Sequence, residues 1–198
     1  MIEMTIDSLR VGMMNSKAAQ HGTPYVVLLK ERTAERYLPI FIGPAEANAI
    51  AIKLRGEQVP RPLTHDLVRS IVDSLGASID SVIVNDLRND TFFAKVVLNV
   101  NGAQLEVDAR PSDAFALALA GGGVPIFADE GVLEKAGIAL SHGESGEFVM
   151  DNQQHPELDS RMSEIKTGKV SDEELGKLSA FSDFLNSLDL EDFGKYKS

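Results

Sequence analysis

The sequence predicts an α+β fold: two pseudo-repeated strand-turn-helix units on a mixed or antiparallel sheet, followed by a C-terminal amphipathic helix. Three observations predict it. First, Leu38–Ile52 (LPIFIGPAEANAIAI) and Leu105–Leu119 (LEVDARPSDAFALAL) align without a gap at an offset of 67, with five of fifteen positions identical. A unit that recurs only twice reads as a pseudo-twofold domain. Second, β-branched runs are punctuated by short turn signals such as Asn101-Gly102. Third, Leu175, Leu178, Phe181, Phe184, Leu185 and Leu188 form one apolar stripe at helical spacing.

Met1 to Val11 alternates and reads as a strand. Tyr25–Lys30 and Tyr37–Ile42 flank the polar stretch Glu31–Arg36 and read as a hairpin. Pro44 suits the first position of a helix running to about Leu54, because its missing N–H would be unpaired there anyway. The two prolines in Val59–Leu63 keep that stretch extended. Thr64 is the expected N-cap of a helix to Leu75, with Gly76 as its stop. Ser81–Leu87, Thr91–Val100 and Ala103–Arg110 read as strands. In the last, alternation puts Leu105, Val107 and Ala109 on one face and Glu106, Asp108 and Arg110 on the other. Pro111 opens a helix ending at Gly121-Gly122-Gly123; Val124–Ala128 is extended; Asp129 caps a helix over Glu130–Ala136. Three segments follow: a domain over 1–138, a polar flexible linker over 139–170, and a helix and tail over 171–198, where Ser171 and Glu174 form a capping box.

The chain of 198 residues has no cysteine, which removes disulfides and thiolate metal sites and fits a cytoplasmic protein. No apolar run reaches membrane-spanning length, and the N-terminus shows no secretory signal pattern. The net charge is −11. Residues 1–140 carry 13 Lys/Arg against 17 Asp/Glu, and residues 141–198 carry 6 against 13. Such a chain is a poor non-specific binder of nucleic acid, so a nucleic-acid role must rest on a local basic site or on metal ions.

Three clusters could carry chemistry, each against a plainer structural reading. Asp108, Arg110 and Asp113 lie at a strand-to-helix corner, where two carboxylates could hold a divalent cation and Arg110 could reach a phosphate. Asp113 and its repeat partner Glu46 also suit helix starts, since an acid there complements the dipole. The partners of Asp108 and Arg110 are Phe41 and Gly43, so the repeated scaffold does not require those charges; a solvated ion pair is the alternative. Arg61, His65 and Asp66 stand at the start of another helix, a plausible anion and proton-transfer site or a simple cap. His142, Glu144, Glu147 and His155 match no tight ligand spacing, and the triple glycine lacks the Lys-Ser/Thr of a phosphate loop. No Gly-x-Ser-x-Gly elbow is present.

The segments YLPIFIGPAEANAIAI (37–52), RPLTHDL (61–67) and LEVDARPSDAFALALAGGGVPIFADEGVL (105–133) resemble the bifunctional nuclease domain family, over about residues 1–138. FSDFLNSLDLEDF (181–193) is similar to the tail of many bacterial members. The resemblance implies an α+β fold, homo-oligomers and divalent-cation-dependent cleavage of DNA and RNA. Glu46, Arg61, His65, Asp66, Asp108, Arg110 and Asp113 fall in the family's recurring motifs. The expected function is a metal-dependent nuclease. Asp108, Asp113 and Glu46 would hold Mg²⁺ or Mn²⁺; His65, Asp66, Asp108 and Asp113 would be catalytic; Arg61 and Arg110 would bind the phosphate. The alternatives are a non-enzymatic regulatory or assembly protein acting through oligomerisation and a partner, and a small-anion-binding module using Arg61 and Arg110.

Overall fold

Ten strands and four helices make up the computed structural model, which describes residues 1–11, 25–142, 148–150 and 168–169. In chain order they are β1 (Ile2–Val11), β2 (Tyr25–Glu31), β3 (Arg36–Ile42), α1 (Pro44–Leu54), α2 (Thr64–Ser74), β4 (Ala77–Arg88), β5 (Thr91–Val100) and β6 (Ala103–Ala109). Then come α3 (Pro111–Ala120), β7 (Ile126–Ala128), α4 (Glu130–Ala136), β8 (Ile138–His142), β9 (Phe148–Met150) and β10 (Gly168–Lys169). The fold is α+β, as the sequence predicts. The helix expected over 171–188 lies outside the described residues.

The sheet runs β6-β5-β4-β7-β1-β2-β3-β8-β9, with β10 against β1. Every pairing is antiparallel except β4 with β7. Two tight hairpins set the register of the β4–β5–β6 meander. Asn89 and Asp90 (φ 48° and 58°) close the first, Asn101 and Gly102 (φ 53° and 85°) the second. Both dipeptides take the left-handed conformation that a two-residue hairpin needs. Ile138 and Ala139 pair with Tyr37 and Arg36, which seats β8 against β3.

The core lies between the sheet and its helices. Val27, Leu29, Leu38, Ile50, Ala94 and Phe115 are fully buried there. In α3, seven of ten residues are buried, including four alanines or serines on all sides, which lets the helix seat closely among α1, α2, β4 and β5. No residue of α2 is buried. Its stripe of Leu67, Ile71 and Leu75 is half or more exposed.

Two local expectations change. The N-cap of α2 is Leu63 rather than Thr64, because the Asp66 carboxylate reaches back to accept the Leu63 N–H at 3.0 Å. β4 begins at Ala77 rather than Ser81. Irregular pairing between Ile79 and Ser81 and between Val84 and Asp86 breaks its alternation and hides its length from a period-two reading.

Candidate functional site

Three helix starts converge on one cleft of about 570 Å³, a size that accepts a small ligand. Pro44 and Ala45 open α1, Leu63 and Thr64 open α2, and Arg110 is the N-cap of α3. Proline holds the first position of both α1 and α3, after an extended N-cap residue (Gly43, ψ 164°; Arg110, ψ 146°). Neither of these two N-caps makes a side-chain cap hydrogen bond. Helix starts carry partial positive charge and leave N–H groups without intrahelical partners, which favours anionic groups there, and Glu46 and Asp113 already take that place in the first turns of α1 and α3.

One arginine ties the charged residues of the cleft together. Arg110 grips Asp113 with two bonds, Nε to Oδ2 at 2.7 Å and Nη2 to Oδ1 at 3.0 Å. Its Nη1 donates to Glu46 Oε1 at 2.9 Å. On the other side, His65 Nε2 lies 3.3 Å from Asp113 Oδ1. Burial pushes the Asp113 carboxyl up, but the hydrogen bonds from Arg110 and His65 outweigh it and hold the group below its ordinary range. Bonds to the two carboxylates hold Arg110 firmly protonated. With His65 neutral the cluster carries a net charge of −1: Glu46 and Asp113 against Arg110.

Of the residues singled out in the sequence, Glu46, His65, Arg110 and Asp113 line this cleft. Arg61, Asp66 and Asp108 do not. Asp66 is engaged in structure: it accepts the Leu63 N–H and pairs with Lys53 at 2.5 Å. Burial pushes its carboxyl up, yet the Lys53 and Leu63 bonds bring it below the usual range. Asp108 is exposed on β6 opposite Lys95. Alternation would have kept Asp108 and Arg110 on one face, but β6 ends at Ala109 and Arg110 turns into the helix start. Arg61 is exposed, before α2.

The cleft also holds Asn48 and Ala49, one turn along α1, which the sequence reading passed over. Their signal was helical spacing from Pro44 and Ala45. Gly43 was missed as well. A Cβ there would press on Glu46 Oε2, so glycine gives the carboxylate room to fold back toward Arg110.

Two carboxylates and an imidazole are donors that suit Mg²⁺ or Mn²⁺. Their arrangement does not. The Arg110 guanidinium sits where a cation would bridge Glu46 and Asp113. Among the described residues, no group of three or more His, Asp or Glu is placed to hold a metal ion. No helix among them is long and apolar enough to cross a membrane.

A sequence profile of the bifunctional nuclease domain matches residues 27–141. That span includes Glu46, His65, Arg110 and Asp113. An uncharacterized protein of Mycobacterium tuberculosis is 39% identical over 183 residues, covering 92% of this chain and 96% of that protein. Bifunctional nuclease 1 of Oryza sativa subsp. japonica is 25% identical over 112 residues, which is 55% of this chain and 33% of the rice protein. Bifunctional nuclease 1 of Arabidopsis thaliana is 28% identical over 99 residues, 48% of this chain and 30% of the plant protein. The profile covers more than half of the chain and the mycobacterial relative nearly all of it, so the chain belongs to the bifunctional nuclease domain family.

Proposed function

We propose that this chain hydrolyses phosphodiester bonds of DNA or RNA in the cleft between the starts of α1, α2 and α3. The observation that carries the reading is the joining of an anion-favouring set of helix starts to a His65–Asp113 pair by Arg110. A guanidinium has five N–H groups. Three of those on Arg110 go to Glu46 and Asp113, and two remain for a phosphate oxygen. Arg110 is 65% exposed on its side chain, so a substrate reaches it.

His65 supplies the proton chemistry. An ionised Asp113 favours the tautomer with hydrogen on Nε2, which leaves Nδ1 as an acceptor. Nδ1 takes the proton of a water as its oxygen bonds to phosphorus, and the ester oxygen departs with a proton returned by the imidazolium or by solvent. Glu46 steadies Arg110 from the other side. The family resemblance adds a metal-assisted form, with Mg²⁺ or Mn²⁺ as cofactor. With Arg110 between the carboxylates the residues do not fit such an ion, and no step here uses one.

Hydrolysis of single-stranded DNA and RNA by the full chain tests the reading. His65→Ala should lower the rate by about 10²–10⁴-fold, the usual worth of general acid–base catalysis. Equal rates for native and variant protein would end this assignment of His65. A chelator arm separates the two forms: loss of cleavage on chelation favours the metal-assisted one.

The exposed stripe of α2 supports a second reading, an assembly protein. Leu67, Ile71 and Leu75 are 55%, 50% and 77% exposed, one apolar stripe open to a partner. A second copy of the chain is the occupant proposed for it. Light scattering of the full chain should give a homo-oligomer, and a monomer would refute this reading.

A further inference from the structure

Glu46 and Asp113 belong to different helices, and without a cation between them their charges would repel. Arg110 is that cation. It makes three charge-assisted bonds to the pair, two to Asp113 and one to Glu46. It is also tethered, three residues before Asp113 in the same chain, so its concentration at the pair is fixed by the backbone. A free divalent ion must shed water and enter a place already filled by a like charge. Among the described residues, Arg110 is the one Lys or Arg that lines the cleft. Lys53, at the far end of α1, is held by Asp66, and the repeat counterpart of Arg110 is Gly43.

We propose that Arg110 is the resident cation of the Glu46–Asp113 pair and keeps divalent ions out of it. Beyond any contact with a phosphate, it sets both carboxylates and, through Asp113, the ring of His65. The inference goes beyond the proposed hydrolysis and holds whether or not the chain cleaves a phosphodiester.

Calorimetric titration of the full chain with Mn²⁺ tests it. Arg110→Met keeps the length of the side chain and removes its charge, and should bind Mn²⁺ at least about tenfold more tightly than the native chain. Arg110→Lys keeps a charge and should show no such gain. Adding Glu46→Gln to Arg110→Met should abolish the gain. Overturning results are an Arg110→Met protein that binds no more tightly than native, or a gain that survives Glu46→Gln. A native-chain measurement covers the case in which Arg110→Met fails to fold. The Arg110 Nε–H resonance should move no more with Mg²⁺ than with NaCl of equal ionic strength, and a Mg²⁺-specific shift would refute the proposal.

Discussion

The corner between β3 and α1 and the corner between β6 and α3 share a local grammar and differ in one decisive residue. Both helices open with proline, both place an acid in the first turn, and both bury an alanine completely, Ala47 and Ala114. The strands before them sit differently. β3 lies inside the sheet with Leu38 and Ile40 buried, whereas β6 is the outer strand, with Leu105 53% and Val107 42% exposed. At the N-cap the first corner has Gly43 and the second Arg110. The first corner therefore gives a carboxylate and the room for it to fold back. The second gives a carboxylate and the cation that both share. The lesson is that matching elements need not play matching parts. Glu46 and Asp113 complement their own helix starts and also face the cleft, and the exchange of Gly43 for Arg110 at the N-cap gives one corner the cation that both acids share.

The largest effects on folding should come from the shared part and be alike in the two corners. Ala47 and Ala114 are fully buried in helices that pack against each other. Valine at either position adds two methyl groups to closed space, and each variant should lose about 1–3 kcal/mol in urea unfolding. A loss confined to Ala114→Val would show that the corners are alike in sequence and not in packing, and would weaken the comparison.

Much of this was legible in the residues themselves. The bounds of α1 match those read from Pro44 and Leu54. Asp129 caps α4 through the Gly131 N–H at 2.9 Å, as its position before an apolar run predicts. The Asn101-Gly102 hairpin lies where the dipeptide predicts it. These features are local, settled by one or two side chains and the adjacent backbone. What could not be read is set by contacts distant in sequence. Arg110 and Glu46 are 64 residues apart, His65 and Asp113 are 48 apart, and no spacing rule announces either pair. Strand alternation placed Asp108 beside Arg110, yet β6 is exposed on both faces, and alternation said nothing of where the chain bends after Ala109. The pairing of Asp66 with Lys53 joins two helices for the same reason.

The smallest effect, and the sharpest test of the comparison, lies at Gly43. Its φ of −75° is open to any residue, so alanine brings no backbone strain. Stiffening the unfolded chain should then stabilise the fold by about 0.4–1 kcal/mol. Against this, the new methyl presses on Glu46 Oε2 and should push the carboxylate off Arg110. An exposed ion pair of that kind is worth about 0.2–1 kcal/mol, so Gly43→Ala alone should change stability little. In a Glu46→Ala background the obstruction is gone, and the same substitution should become stabilising by the full amount. Urea unfolding of the four proteins reads the difference as a coupling between positions 43 and 46. Equal stabilisation in both backgrounds would mean that Glu46 does not lean on the glycine, and that room for a folded-back carboxylate is not what the first corner contributes.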